Sequence, residues 1–285
     1  MGRFVNPDNS AFQVALNSPI YVDKTGLLEY TNSVLNTTEA YICNSRPRRF
    51  GKSYAANMLA AYYSKGCNSE EMFLGLDISR ESDFKTHLNK YDVIHLDIQW
   101  FLANCDDVDN VVAFITKSVQ DELREIYPGI FPDEEISLSE CLSRIRNAVG
   151  QKFIVIIDEW DVLIRDEAAN KKVQEKYFNF LRAMFKGSEP TKYIQLAYLT
   201  GILPIKKEKT QTALNNFDEF TMLDAWVMAP YIGFTEVEVR NLCKRYHRDF
   251  EKVKYLYASY LLGDYQVYNP EVIIDVCMQG KFRSY

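Results

Sequence analysis

The octapeptide Arg46-Pro47-Arg48-Arg49-Phe50-Gly51-Lys52-Ser53 and, about a hundred residues later, the run Phe153-Ile154-Val155-Ile156-Ile157-Asp158-Glu159 supply the two halves of a nucleoside-triphosphate site. Backbone amides at a helix N-terminus point outward unsatisfied and carry partial positive charge, so a tight turn that exposes several of them cradles a polyphosphate. Gly51 lets the backbone approach, Lys52 reaches the outer phosphates as a point charge, and the Ser53 hydroxyl ligates a Mg²⁺ bridging their oxygens. The two carboxylates close a strand of five consecutive apolar residues, where ion or proton chemistry justifies their placement. Asp158 would hold the hydrated Mg²⁺. Glu159, projecting from the strand tip, would orient and deprotonate the attacking water. Thr200, at the end of the run from Tyr193 to Leu199, is placed either to sense a terminal phosphate or to cap the strand end.

The phosphate-loop pattern usually carries a glycine five residues before Gly51, and here Arg46 stands in its place. Pro47 stiffens the loop. Arg48 and Arg49 add two guanidinium groups that could hydrogen-bond the phosphates, shield an empty site or face another subunit. The nucleotide-contacting set is accordingly Arg46, Arg48, Arg49, Phe50, Gly51, Lys52, Ser53 and Tyr54. Asp161 stands either behind the metal or at a helix cap. His95, on an apolar strand, reads as a core histidine, and Lys206, Lys207 and Lys209 read as a solvated loop.

To position these groups the chain needs an α/β sheet covered on both faces. Ala40-Cys43, Val93-Ile98, Phe153-Ile157 and Tyr193-Thr200 are apolar segments separated by stretches of helical periodicity, the pattern of buried parallel strands. The first runs into Gly51-Lys52-Ser53, after which Tyr54 to Tyr62 contains strong helix formers and no breaker. A fifth strand is expected near Ala225-Ala229. Two helices are expected between Asp106 and Gly150, split by Tyr127-Pro128-Gly129-Ile130-Phe131-Pro132, with Ser137 and Glu140 as a capping box for the second. Thr235-Glu236-Val237-Glu238 opens a run of helices to the end, with another start at Asn269-Pro270. The expected architecture is a three-layer α/β/α core with a mostly parallel five-stranded sheet over residues 1–230, and a small helical subdomain over 231–285.

A chain of 285 residues buries roughly three quarters of its unfolded surface, enough for that core and an appendage. The 47% hydrophobic fraction, with 19 Tyr and 17 Phe, argues against disorder. The N-terminus has no apolar run behind Arg3, so neither a signal peptide nor a membrane span is read there, and a cytoplasmic location is expected. Six scattered cysteines without a Cys-x-x-Cys pair read as buried reduced thiols. A net charge of -6 disfavours broad nucleic-acid binding and leaves only a local basic patch for it.

These residues resemble the AAA-ATPase-like proteins of bacteria, which carry Arg-Pro-Arg-Arg-Phe-Gly-Lys-Ser in place of the glycine-rich loop. Further matches are Tyr21-Val22-Asp23-Lys24-Thr25, Asp158-Glu159-Trp160-Asp161, Leu199-Thr200-Gly201-Ile202-Leu203-Pro204-Ile205, Ala213-Leu214-Asn215-Asn216-Phe217, Gly233-Phe234-Thr235-Glu236 and Tyr268-Asn269-Pro270. The resemblance implies a P-loop NTPase core that binds ATP, an additional strand between the phosphate loop and the acidic strand, and a helical lid. It also implies that similar proteins continue into a restriction-endonuclease-like domain beyond the segment where this chain stops. Two departures stand out: Leu256-Tyr257-Ala258-Ser259-Tyr260 lacks an acidic residue and a glycine usual there, and Trp160 replaces a tyrosine. The expected function is a Mg²⁺-dependent ATP hydrolase whose cycle moves the lid and signals to a protein partner. The alternative is a non-hydrolysing, nucleotide-dependent switch or scaffold for a nuclease or defence partner. Phosphoryl transfer to a small molecule is weaker, because Glu159 beside Asp158 suits water activation better than docking an acceptor.

Overall fold

The computed structural model describes residues 2–131, 136–166, 169–205, 214–280 and 282. Its centre is a five-stranded sheet of β1 (Tyr41–Ser45), β2 (Asp92–Asp97), β3 (Phe153–Asp158), β4 (Ile194–Gly201) and β5 (Asp218–Phe220), in the order β2-β3-β4-β1-β5. Every neighbouring pair is parallel. All six residues of β3 and all eight of β4 are buried, which requires cover on both faces and explains why these runs are apolar without alternation. β4 lies between β1 and β3, as the family resemblance implied.

α1 (Ser10–Leu16) and α2 (Gly26–Val34) precede β1 and are not among the helices expected from the sequence; the expected helices are α3 (Lys52–Tyr63), α4 (Val111–Ile126), α5 (Leu138–Val149) and, between β3 and β4, α6 (Lys171–Phe185). α3 packs against β2, β3 and β4 and so sits directly over the sheet. The break between α4 and α5 falls where Pro128 and Gly129 stand; Pro132 lies outside the described residues. Ser137 accepts the Glu140 amide at 3.2 Å, capping α5.

The fifth strand is not at Ala225-Ala229. Trp226–Met228 forms a single 3₁₀ turn, and the strand is the three-residue segment Asp218–Phe220 instead. The apolar run was a poor guide because Thr221 Oγ accepts the amides of Leu223 and Asp224 and turns the chain before that run begins. The true strand pairs only with β1 at the sheet edge, where Asp218 is exposed, so it carries no apolar signature.

The C-terminal region is not purely helical either. α7 (Glu236–Arg245), α8 (Phe250–Leu256) and α9 (Pro270–Gln279) are joined by an antiparallel sheet of β6 (Phe234–Thr235), β7 (Tyr260–Leu262) and β8 (Tyr265–Tyr268), ordered β6-β8-β7. The hairpin turns on Gly263-Asp264, with Gly263 at φ +59, a two-residue loop that permits such short strands. Thr235 and Glu238 form a complete capping box for α7, and the Asn269 side chain accepts the Glu271 amide at the start of α9.

The apolar core of this region includes Phe234, Val239, Val253, Tyr268, Ile273 and, from the far end of the chain, Ile20. Lys24 Nζ donates to Glu238 at 2.6 Å and to the Pro230 carbonyl at 2.7 Å, pinning the same N-terminal segment to the C-terminal region. No helix among the described residues is long and apolar enough to cross a membrane.

Gly233 lies immediately before β6 with φ +104, and a Cβ there would collide with Val267 Cγ1 and stand 3.2 Å from Phe50 Cδ1. Gly233→Ala is expected to lower unfolding free energy by ~2 kcal/mol or more, through both the left-handed backbone and the overpacking. The urea midpoint of the purified chain, compared with the parent, checks this.

Candidate nucleotide-binding site

β1 ends at Ser45, and the chain turns through residues 46–51 into α3. Gly51, at φ +90, is the N-cap of α3, a conformation that favours glycine. Among the described residues, the amides of Gly51, Lys52 and Ser53 donate to no protein acceptor, so three donors point out of the first turn of a twelve-residue helix. The Lys52 side chain is buried, with Nζ 3.1 Å from the Pro47 carbonyl and 3.9 Å from Glu159 Oε1. Burial pushes the Lys52 ammonium pKa down, against the opposing pull of Glu159 and Asp158. Ser53 and Tyr54 are exposed at the mouth of the loop.

The arginines divide. Arg46, expected beside the phosphates, is fully buried under the loop, where Nη1 donates to the carbonyls of Ser45 and Phe220, both at 3.0 Å. It ties β1 to the short edge strand β5. A side chain that replaces glycine at the strand end has nowhere to go but beneath the turn, and burial lowers its pKa to about 10. Arg48 is exposed. Arg49, at φ +70, pairs with Glu271 at the start of α9 at 2.6 Å. Phe50 is buried and packs edge-on against Tyr260 of β7, with ring centroids 5.7 Å apart. Two of the loop's side chains therefore contact the C-terminal region.

Asp158 ends β3. Its Oδ1 accepts the Thr200 hydroxyl in a short hydrogen bond and the Glu159 amide at 3.1 Å. Glu159 has φ +53, a conformation costing about 1–3 kcal/mol in a non-glycine residue, and such outliers cluster at functional sites. Burial raises its pKa, while Lys52 and Arg165 pull it down. Asp161 is the N-cap residue of the single helical turn Val162–Arg165, although its side chain makes no capping bond there. It is fully buried and accepts the amides of Ile202 at 3.1 Å and Leu203 at 2.7 Å, holding the segment that leaves β4. His95 is half-buried on β2, and burial lowers its pKa against the pull of Asp158. Lys206, Lys207 and Lys209 lie outside the described residues.

The structure thus brings Lys52, Asp158, Glu159 and Thr200 together, sets Ser53 at the rim and removes Arg46. Sequence reasoning missed two parts. Arg165 bonds Glu159 at 2.5 Å and Asp161 at 2.8 Å; its four-residue spacing from Asp161 was the available signal. A cavity of about 580 Å³ opens beside the loop, lined by Phe50, Tyr54, Met58, Tyr231, Phe234 and Met278 among others. Its walls come from four separate stretches of chain, which no local pattern joins.

A phosphate-loop helix on a parallel sheet, with one strand inserted between the phosphate-loop strand and the acidic strand, defines a P-loop NTPase of three-layer α/β/α architecture. The chain belongs to the AAA-ATPase-like family: the family model described as "Predicted AAA-ATPase" matches residues 11–210. Over 272 residues it is 23% identical to an uncharacterized protein in the vnfD 5' region of Azotobacter chroococcum mcd 1, a match that covers 93% of this chain and 49% of that protein. The chain therefore spans about half the length of this curated relative. Similar solved structures include the Aeropyrum pernix ORC1 protein in complex with DNA, with TM-score 0.41, 12% identity, and coverage of 86% of this chain and 54% of that one. The Aeropyrum pernix ORC2 protein, in ADPNP-ADP complexes, gives TM-score 0.40 and 10% identity over 83% of this chain and 50% of that one.

Arg46→Gly, which writes the usual glycine back into the loop, is expected to destabilise the protein. It leaves a large void and removes the donors to Ser45 and Phe220. A loss of about 3 kcal/mol or more follows, read as a lower urea midpoint.

Proposed function

We propose that the protein is a Mg²⁺-dependent ATP hydrolase whose nucleotide state is passed to the C-terminal lid and through it to a partner. The observation that carries this reading is the meeting of Lys52, Asp158, Glu159 and Thr200 at the free N-terminus of α3. The polyphosphate would lie on the free amides of residues 51–53. Lys52 would leave the Pro47 carbonyl, an acceptor supplied by the loop itself, for the outer phosphates. The adjoining apolar cavity would take the base and ribose.

The donor set suits Mg²⁺. Among the described residues no cluster of three or more His, Cys, Asp or Glu could hold a metal, but Mg²⁺ arriving on a nucleotide needs only one or two protein oxygens. The Ser53 hydroxyl and Asp158 would provide them, and the bound ion would neutralise charge on the outer phosphates. Thr200, already donating to Asp158, would fix that carboxylate's orientation. Glu159 would take the proton from the attacking water; its burial favours a basic carboxylate.

Communication with the lid is supported by Arg49, which pairs with Glu271, and Phe50, which packs on Tyr260. A second reading, a switch that binds nucleotide without turnover, is favoured by one observation: Glu159 is engaged by Arg165 rather than open to water on both oxygens.

Phosphate release and an ATP-binding titration on the purified chain separate the two. Lys52→Ala is expected to abolish binding. Glu159→Gln is expected to retain ATP while turnover falls by about 10²–10⁴-fold. Tight binding by the parent without turnover would establish the switch; turnover by Glu159→Gln at the parent rate would remove Glu159 as the base.

A further inference from the structure

Glu159 has two carboxylate oxygens in different surroundings. Oε2 receives Arg165 Nη2 at 2.5 Å, whereas Oε1 faces Lys52 Nζ at 3.9 Å, beyond hydrogen-bond length. Arg165 is not a loose surface cation. Its side chain is largely buried, and Nε donates to Asp161 Oδ2 at 2.8 Å. Asp161 in turn is fully buried and held by the amides of Ile202 and Leu203, which follow Thr200 at the end of β4. The backbone of Glu159 is fixed separately, its amide donating to Asp158 Oδ1.

We propose that Arg165 is the positioning residue of this site: anchored on Asp161, it holds Oε2 of Glu159 and leaves Oε1 as the one oxygen turned towards Lys52 and the phosphate loop. The inference rests on the reading of Glu159 as the group that accepts the water proton. A glutamate side chain samples several rotamers, and a proton acceptor must meet its donor within a few tenths of an ångström. The planar guanidinium suits this task because its fixed fork reaches two carboxylates at once, which an ammonium cannot do with the same geometry. The oxygen with only a distant cation beside it is the one free to accept a proton once Lys52 has turned to the phosphates. Both partners lie within the segment 159–165.

Arg165→Met and Arg165→Lys in the full chain test this, with ATP binding and phosphate release measured separately. The expected result for Arg165→Met is an ATP Kd within about threefold of the parent and a kcat lower by on the order of 30-fold, with Arg165→Lys recovering part of the loss. A large rise in Kd would place Arg165 on the nucleotide instead. An unchanged or higher kcat would make it a bystander or a restraint. Either result overturns the proposal.

A second readout does not require turnover. In ¹⁵N-labelled protein the Arg165 Nη protons, assigned by their loss in Arg165→Met, are expected to rotate slowly in the parent and to average in Glu159→Gln. If Glu159→Gln leaves them unmoved, Arg165 does not hold Glu159 and the proposal fails. Should the parent release no phosphate, the hydrolytic reading fails, and these resonances alone decide whether the pair exists.

Discussion

Parallel pairing brings the C-terminal ends of β1, β3 and β4 to a common edge, and the short hydrogen bond from Thr200 to Asp158 ties two of those ends together. The positions of the remaining groups follow from that edge. Ser45 leads into the phosphate loop, Glu159 takes a left-handed turn off β3, and the segment after Gly201 is caught by Asp161. Because β4 is buried along its whole length, a shift of one residue in its register would set Leu199 or Gly201 beside Asp158 and would turn every apolar side chain of the strand to the other face. The hydrophobic sheet thus enforces the polar geometry at its rim.

Charge is handled differently on the two sides of β1. Towards β4, cations and anions alternate: Lys52, Glu159, Arg165 and Asp161 form a chain in which each ion has an opposite one within 3.9 Å. Towards β5, Arg46 is buried and, among the described residues, has no carboxylate hydrogen-bond partner and is satisfied only in part, by two carbonyls. Burying a guanidinium without a carboxylate beside it is costly, and burial pushes its pKa down. The cost is matched by what Arg46 does, which is to hold a three-residue edge strand that has little else to fix it.

Much of this was legible in the sequence. β3 and β4 announce themselves as apolar runs too continuous for one-sided strands, and Gly51-Lys52-Ser53 between a strand and a helix former fixes the site's position on the sheet. What escaped were features created by contacts between distant residues. β5 has acidic residues at two of its three positions, so only its pairing with β1 makes it a strand. The fate of Arg46 could not be read from a motif comparison, since a substitution pattern does not say whether a side chain points into the cleft or beneath it. The lid sheet was hidden because strands of two to four residues carry too few positions to show an alternation.

The N-terminal segment also bears on how the molecule is assembled. Ile20 belongs to the apolar cluster of the lid, and Lys24 reaches Glu238 across 214 residues of chain. Loop-closure entropy opposes contacts of such separation, so they form late. During synthesis the central sheet could pair while Ile20 and Lys24 still lacked their partners, leaving Ile20 uncovered until residues 234–277 emerged. An apolar cluster short of one of its members is an aggregation hazard until residues 234–277 close over Ile20.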